Sequence, residues 1–227
     1  MKYLKYSLLL IILSSSTTLL AQNSNLGSWN SLNIKYKLSN NWGLFGEAQF
    51  RSQNIYNNFF YYQYLAGFSY KFTKNAFFSL AAGSYQTFEP DGNFTLPKKN
   101  SEFRLSPMIT TEQNLGRFEI ESRYRAEFRF INTGYKNRFR YRLGLAYPFG
   151  KEIKDYKPFK ISANDEIFLT DKGPYFERNR LLLAFNYKTS EHITLQTGYL
   201  RQFDYKTDHQ EGKDFLDLGI LFSFAKK

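Results

Sequence analysis

The sequence predicts an all-β protein: an antiparallel transmembrane β-barrel of about 10–12 strands, formed after a signal peptide is cleaved. Three observations carry this expectation. Residues 117–131 (RFEIESRYRAEFRFI) place Arg117, Glu119, Glu121, Arg123, Arg125, Glu127 and Arg129 at one parity and Phe118, Ile120, Ser122, Tyr124, Ala126, Phe128 and Phe130 at the other. A two-residue period puts every charge on one face of a strand and nearly every apolar side chain on the other. The 227-residue chain is 19% aromatic, with 24 Phe and 18 Tyr, yet its mean hydropathy is only -0.51. Strands with lipid on one side and a polar interior on the other have this composition. Beyond the leader no stretch approaches the ~20 apolar residues that a spanning helix needs. A secreted β-sandwich rich in Tyr and Phe is the alternative to the barrel.

Residues 1–21 read as the signal peptide and residues 22–227 as the barrel domain. Lys2 and Lys5 form the positive n-region, residues 7–13 (SLLLIIL) the apolar core, and Ala21 precedes the expected cleavage point. The apolar run is too short to span and is interrupted at residues 14–18 (SSSTT). Export to the outer membrane of a Gram-negative cell follows, with lipid and the outer-membrane assembly machinery as partners.

The elements follow in order. Leu32, Ile34, Tyr36 and Leu38 alternate with Asn33, Lys35 and Lys37; Ser39-Asn40-Asn41 turns the chain. Trp42, Leu44, Gly46, Ala48 and Phe50 then alternate with Phe45, Glu47, Gln49 and Arg51, before a polar loop over residues 52–58. Phe60, Tyr62, Tyr64, Ala66, Phe68, Tyr70 and Phe72 form the next outward face, with Tyr61 and Leu65 as apolar exceptions on the inner one. After Thr73-Lys74-Asn75 the strand 76–88 carries the small residues Ser79, Ala81 and Gly83 inward; residues 89–100 form a long loop with the turn signal Pro90-Asp91-Gly92. Strand 101–112 brings Glu102, Arg104, Ser106 and Thr110 inward, and Pro107 forecasts a bulge or a gap in the ladder.

Strand 117–131 comes next, then a short loop at 132–136 and strand 137–149, in which Arg138, Arg140 and Arg142 oppose Phe139, Tyr141 and Leu143. Residues 159–170 carry Lys160, Ser162, Asn164 and Glu166 on one face, while Asp165 falls on the outward side and breaks the pattern. The last strands are 179–188, 193–204 and 214–224, the final one ending in Phe222 and Phe224. The count is eleven, whereas single-chain bacterial barrels normally have an even number. Either residues 22–31 supply an extra strand or luminal segment, or the count is off by one. Short connections are expected at the periplasmic end and longer ones outside.

There is no cysteine, which removes disulfides, thiolate catalysis, Cys-ligated metal and a lipid-modified N-terminal Cys. The net charge is +11, but the charges sit at period two among aromatics rather than in a surface run, which argues against nucleic acid. No phosphate-binding glycine loop and no metal-ligand spacing occurs, so no cofactor or metal is expected. The candidate site is the charged inner face: Glu47, Arg51, Glu102, Arg104, Glu119, Glu121, Arg123, Arg125, Glu127, Arg129, Arg138, Arg140, Arg142, Glu166 and Arg180. Inward charges need partners or water. With Leu115-Gly116 as a two-residue turn, Arg104 faces Glu127 and Glu102 faces Arg129; this register is expected because sliding it sets like charges opposite each other. Either guanidinium–carboxylate networks fill the interior, or the surplus of arginine makes an anion-attracting constriction.

Short patterns along the mature chain resemble a family of uncharacterised outer-membrane barrels, domain of unknown function 2490. They are Gly27-Ser28-Trp29, Leu38-Ser39 with Trp42, Glu47 and Arg51, Asn164-Asp165-Glu166, Asn179-Arg180 and Gly198-Tyr199. The resemblance implies a barrel in a Gram-negative outer membrane and contributes no catalytic residue. Three functional readings follow. The first is a non-enzymatic barrel, structural or serving the binding or passage of a small, preferably anionic, solute. The second is a barrel hydrolase or acyltransferase using Asp208 and His209 in a loop, with His192 merely solvated at a turn. The third is a soluble exported sandwich that binds a ligand.

Overall fold

The computed structural model describes residues 26–89, 92–95, 97–154, 156–205 and 210–226. They form eleven strands and no helix: β1 (Gly27–Lys37), β2 (Trp42–Asn54), β3 (Asn57–Thr73), β4 (Ala76–Phe88), β5 (Lys98–Leu115), β6 (Phe118–Ile131), β7 (Gly134–Phe149), β8 (Phe159–Thr170), β9 (Phe176–Lys188), β10 (Ile193–Tyr205) and β11 (Gln210–Ala225). Each strand pairs antiparallel with the next, and β1 closes the barrel on β11 in parallel. One closed sheet replaces the two-layered sandwich. The leader, residues 1–21, lies outside the described residues.

The odd count needs no extra strand. Residues 27–31 begin β1 itself, and an odd number of alternating strands leaves the first and last parallel. The start of β1 and the end of β11 therefore lie at opposite ends of the barrel. Hereafter the end where β11 finishes is the C-terminal end, and the other is the N-terminal end.

Alternation sets the wall. On β6, Phe118, Tyr124, Phe128 and Phe130 are exposed on the outer face, whereas Glu127 is wholly buried. Outer aromatic rings gather near the C-terminal end (Trp42–Tyr70, 4.8 Å; Phe118–Tyr147, 5.4 Å; Phe149–Phe159, 5.6 Å) and near the N-terminal end (Phe130–Tyr135, 5.3 Å; Phe103–Phe130, 6.2 Å; Phe176–Tyr205, 6.3 Å). Exposed aliphatic side chains such as Leu32, Leu143, Leu181 and Leu183 lie between, together with Tyr64 and the Tyr124–Tyr141 pair (4.9 Å).

Three expectations are corrected. The β5–β6 turn is Gly116-Arg117, not Leu115-Gly116: Leu115 pairs with Phe118, and Gly116 takes the positive φ (+62°) that the tight reversal requires. Arg117 thus leaves the strand, and Arg104 pairs with Arg129 and Glu102 with Ile131, rather than Arg104 with Glu127 and Glu102 with Arg129. Second, Phe60 is not on the outer face. The ladder slips between Arg51 and Ser52, making Phe60 the extra residue, and it packs inward against Tyr61 and the buried cluster of Trp29, Leu200 and Phe215. Third, connections are not consistently shorter at one end. The polar stretches 52–58 and 132–136 continue the ladders to Asn54–Asn57 and Ile131–Gly134, giving two-residue turns opposite the end where Lys74-Asn75 and Gly116-Arg117 lie. At Pro107 the expected gap is present: Leu105 pairs with Phe128 and Met108 with Arg125, with no β6 partner for Ser106 or Pro107.

Candidate functional site

The fifteen charged side chains named from the sequence occupy the inner side of the wall. Glu47 and Arg51 come from β2, Glu102 and Arg104 from β5, and Glu119, Glu121, Arg123, Arg125, Glu127 and Arg129 from β6. Arg138, Arg140 and Arg142 come from β7, Glu166 from β8 and Arg180 from β9. Nine of them, with Glu177, meet in one network, and Arg142 and Glu121 form a separate pair beside it. Glu127, with no exposed surface, is bound by Arg138 at 2.5 Å and Arg140 at 2.6 Å, with Arg125 at 3.6 Å and Arg104 at 3.8 Å. Glu102 takes Arg104 at 2.6 Å and both Nε (3.0 Å) and Nη2 (2.8 Å) of Arg129. Glu166 takes Arg140 at 2.7 Å and Arg123 at 3.0 Å, and Arg142 binds Glu121. Glu119 lies outside this network and pairs with Lys160 at 2.5 Å. Fork-shaped guanidinium groups suit this work, since each offers five donors and binds one or two carboxylates here.

The like-charged pairs of the ladder explain the density of bridges. Arg104 faces Arg129, Arg123 faces Arg142 and Arg125 faces Arg140. Like charges directly opposite destabilise a sheet. Here one carboxylate binds both members of the first pair (Glu102) and of the third (Glu127), while in the second pair Glu166 takes Arg123 and Glu121 takes Arg142.

Aromatic rings close the remaining space. Arg51 lies between Trp29 (3.3 Å to the ring centre) and Tyr61 (3.9 Å), and Arg180 also lies over Trp29 at 4.7 Å. Trp29, Arg51 and Arg180 belong to three of the sequence patterns that carry the resemblance, and β1, β2 and β9 bring them to one stack. Among the described residues neither Arg51 nor Arg180 has a carboxylate within 4.0 Å; they donate instead to Gln49 (2.9 Å) and Gln202 (2.8 Å). Phe168, wholly buried, meets four guanidinium groups, those of Arg138, Arg140, Arg178 and Arg180, at 4.4–5.7 Å. Arg104 lies 3.8 Å over Tyr85. A desolvated cation over a ring gains about 2 kcal/mol or more, which offsets part of the cost of burying it without a counter-charge.

Towards the C-terminal end the interior opens into a cavity of about 600 Å³. Its lining includes six cationic side chains (Lys35, Lys37, Lys71, Arg123, Arg125, Arg142) and three acidic ones (Glu47, Glu112, Glu121). Glu47 makes no ion pair within 4.0 Å among the described residues; it accepts from Gln49 (2.8 Å) and Gln63 (2.6 Å). Among the described residues, the buried Nε groups of Arg123 and Arg142 have no hydrogen-bond acceptor, nor does that of Arg51 deeper in the barrel. Donors and positive charge therefore both exceed what the neighbouring side chains satisfy.

Sequence reasoning missed Glu177, which lies 3.4 Å from Arg138 and 3.6 Å from Arg129. A slip of the ladder between Phe168 and Leu169 turns it inward. Its neighbour Arg178, bound to Asp204, was also missed. His192 sits in the β9–β10 turn, its Nδ1 3.0 Å from the Ser223 carbonyl oxygen and its ring stacked on Phe224. Asp208 and His209 lie outside the described residues. Among those described, no group of three or more His, Asp or Glu side chains is placed to hold a metal ion.

The model of a family described as "Protein of unknown function (DUF2490)" matches residues 26–213, which takes in ten of the strands and the start of the last. No curated protein and no solved structure matches the chain.

Proposed function

This chain belongs to the DUF2490 family of proteins of unknown function, and from its geometry we propose a non-enzymatic barrel of a Gram-negative outer membrane that binds a small anionic solute without letting it pass. The membrane reading is supported by the outer face, where aliphatic side chains lie between two groups of aromatic rings, the arrangement that lipid and its two interfaces select. A water-facing surface would not hold so many large apolar side chains around its circumference.

Binding rather than passage is supported by the filling of the waist: Glu127, fully buried, gathers Arg104, Arg125, Arg138 and Arg140 from β5, β6 and β7, while Arg51 of β2 and Arg180 of β9 meet over Trp29 of β1, and Arg180 also lies over Phe168 of β8. A solute entering the 600 Å³ vestibule meets this seal. The vestibule has twice as many cations as carboxylates in its lining, which favours a multiply charged anion. Arg123 and Arg142 are the side chains best placed to meet it, since each keeps donors beyond its one carboxylate.

Titration calorimetry with citrate and with inorganic phosphate, on protein in lipid vesicles, tests this. Binding that weakens with salt, and falls about tenfold or more in Arg123→Gln/Arg142→Gln through the loss of charged hydrogen bonds, is expected. Absence of heat with either anion, or equal affinity in the variant, contradicts the proposal.

A further inference from the structure

The outer face carries a polar break at its middle. Asp165 on β8 is exposed, accepts a hydrogen bond from Asn179 at 2.8 Å, and has no cation within 4.0 Å among the described residues. Two strands away Arg201 points to the same side. It donates to Asp214 at 2.6 Å, and the Tyr199 hydroxyl donates to the same carboxylate at 2.6 Å. Asp165 and Arg201 share one register row, because each pairs with Leu181 of β9. At the usual strand spacing they stand roughly 10 Å apart with Leu181 midway. Leu143, Leu181 and Leu183 surround them with exposed aliphatic surface.

This step rests on the membrane reading proposed above. A carboxylate on that face would lie in hydrocarbon, where an ionised side chain needs a partner. We infer that the outer face of β8–β10 is a two-fold interface between two copies of this chain, in which Asp165 of each copy meets Arg201 of the other. A two-fold axis along the membrane normal through Leu181 exchanges β8 with β10 between the copies. Each end of the row then faces the opposite end in the other copy, and because strands tilted by about 40° set the two ends roughly 6 Å apart in height, the long Arg201 side chain spans the offset. Arg201 uses one nitrogen on Asp214, and its planar fork leaves donors for a second carboxylate. Leu181 meets its own counterpart on the axis.

The chain has no cysteine, so single-cysteine variants report on this contact alone. In membranes, Leu181→Cys is expected to form a disulfide-linked dimer under mild oxidation, whereas Ala82→Cys, exposed on the outer face of β4, is not. Adding Asp165→Arg to Leu181→Cys should lower the cross-linked fraction at least fivefold, and Asp165→Glu should preserve it. Unboiled gel mobility checks that each barrel is folded. A folded, membrane-bound Leu181→Cys that cross-links no better than Ala82→Cys overturns the interface and leaves the membrane reading standing. So does undiminished cross-linking with Asp165→Arg. Protein missing from alkaline-washed membranes overturns the membrane reading and the interface with it.

Discussion

Arg104 of β5 and Arg129 of β6 stand directly opposite each other, and the carboxylate of Glu102, two residues from Arg104 along β5, binds both. The repulsion that a face-to-face arginine pair would impose is turned into a three-centre ion bridge. The same device recurs around Glu127, which draws in Arg125 and Arg140, another directly opposed pair. The interior is thus built from arginine rows stitched by fewer carboxylates, and stability rests on those carboxylates.

The sign of the Arg129 effect should depend on Glu102. With Glu102 present, Arg129→Gln breaks a buried pair and destabilises. In a Glu102→Gln background the same change removes one of two opposed cations and should be stabilising. Urea unfolding in lipid vesicles for the four members of this cycle measures it; a coupling of about 1–3 kcal/mol is expected for such neighbours. Additive effects would contradict the bridge.

Glu127→Gln should be far more costly than Glu119→Gln. The first leaves four arginines around a neutral amide in a buried site, worth about 3–5 kcal/mol for breaking a buried pair. The second removes the partner of Lys160 from a pair in which both side chains are more than 40% exposed, where about 1 kcal/mol or less is typical. Unfolding midpoints at fixed lipid composition compare them.

The seal predicts a closed channel. In planar bilayers the wild-type protein should give no conductance steps, whereas Arg104→Ser/Glu127→Ser/Arg140→Ser, which empties the waist while changing its charge by only one unit, should give them. Wild-type steps as frequent as those of the variant would contradict a closed waist.

Trp29→Ala should destabilise by about 3–5 kcal/mol, the range for deleting a large buried aromatic. It also removes the ring that Arg51 and Arg180 share. Trp29→Ala together with Arg51→Gln should cost less than the sum of the single changes, read from the same unfolding curves.

Strand identity was legible because two-residue alternation persists wherever one face sees charge and the other sees apolar surroundings, as in Glu119 to Phe130. The register was not, because it hinges on which residue of Leu115-Gly116-Arg117 takes the positive φ, a choice the composition of the turn leaves open. Parity assigns Phe60 the outer face, but it sits where a ladder slips by a residue, and counting along the strand then gives the wrong side. Glu177 was missed because the sequence reading begins this strand at Asn179, whereas β9 begins at Phe176. The charged interior could be listed from parity alone, but which carboxylate serves which arginine depends on neighbours from β5 to β9 that no local pattern encodes. Asp165 is the reverse case: its break in alternation was plain in the sequence, and the structure leaves it on the outer face.

The two tryptophans test the central claim most directly. Trp42 is 47% exposed on the outer face and Trp29 is 5% exposed inside, beneath Arg51. Fluorescence of Trp29→Phe and of Trp42→Phe, in vesicles of brominated lipid, reads each ring alone. Strong quenching of Trp42 and little of Trp29 is the predicted result; equal quenching of both, or none of Trp42, would contradict a barrel whose rings face hydrocarbon and whose ions face inward.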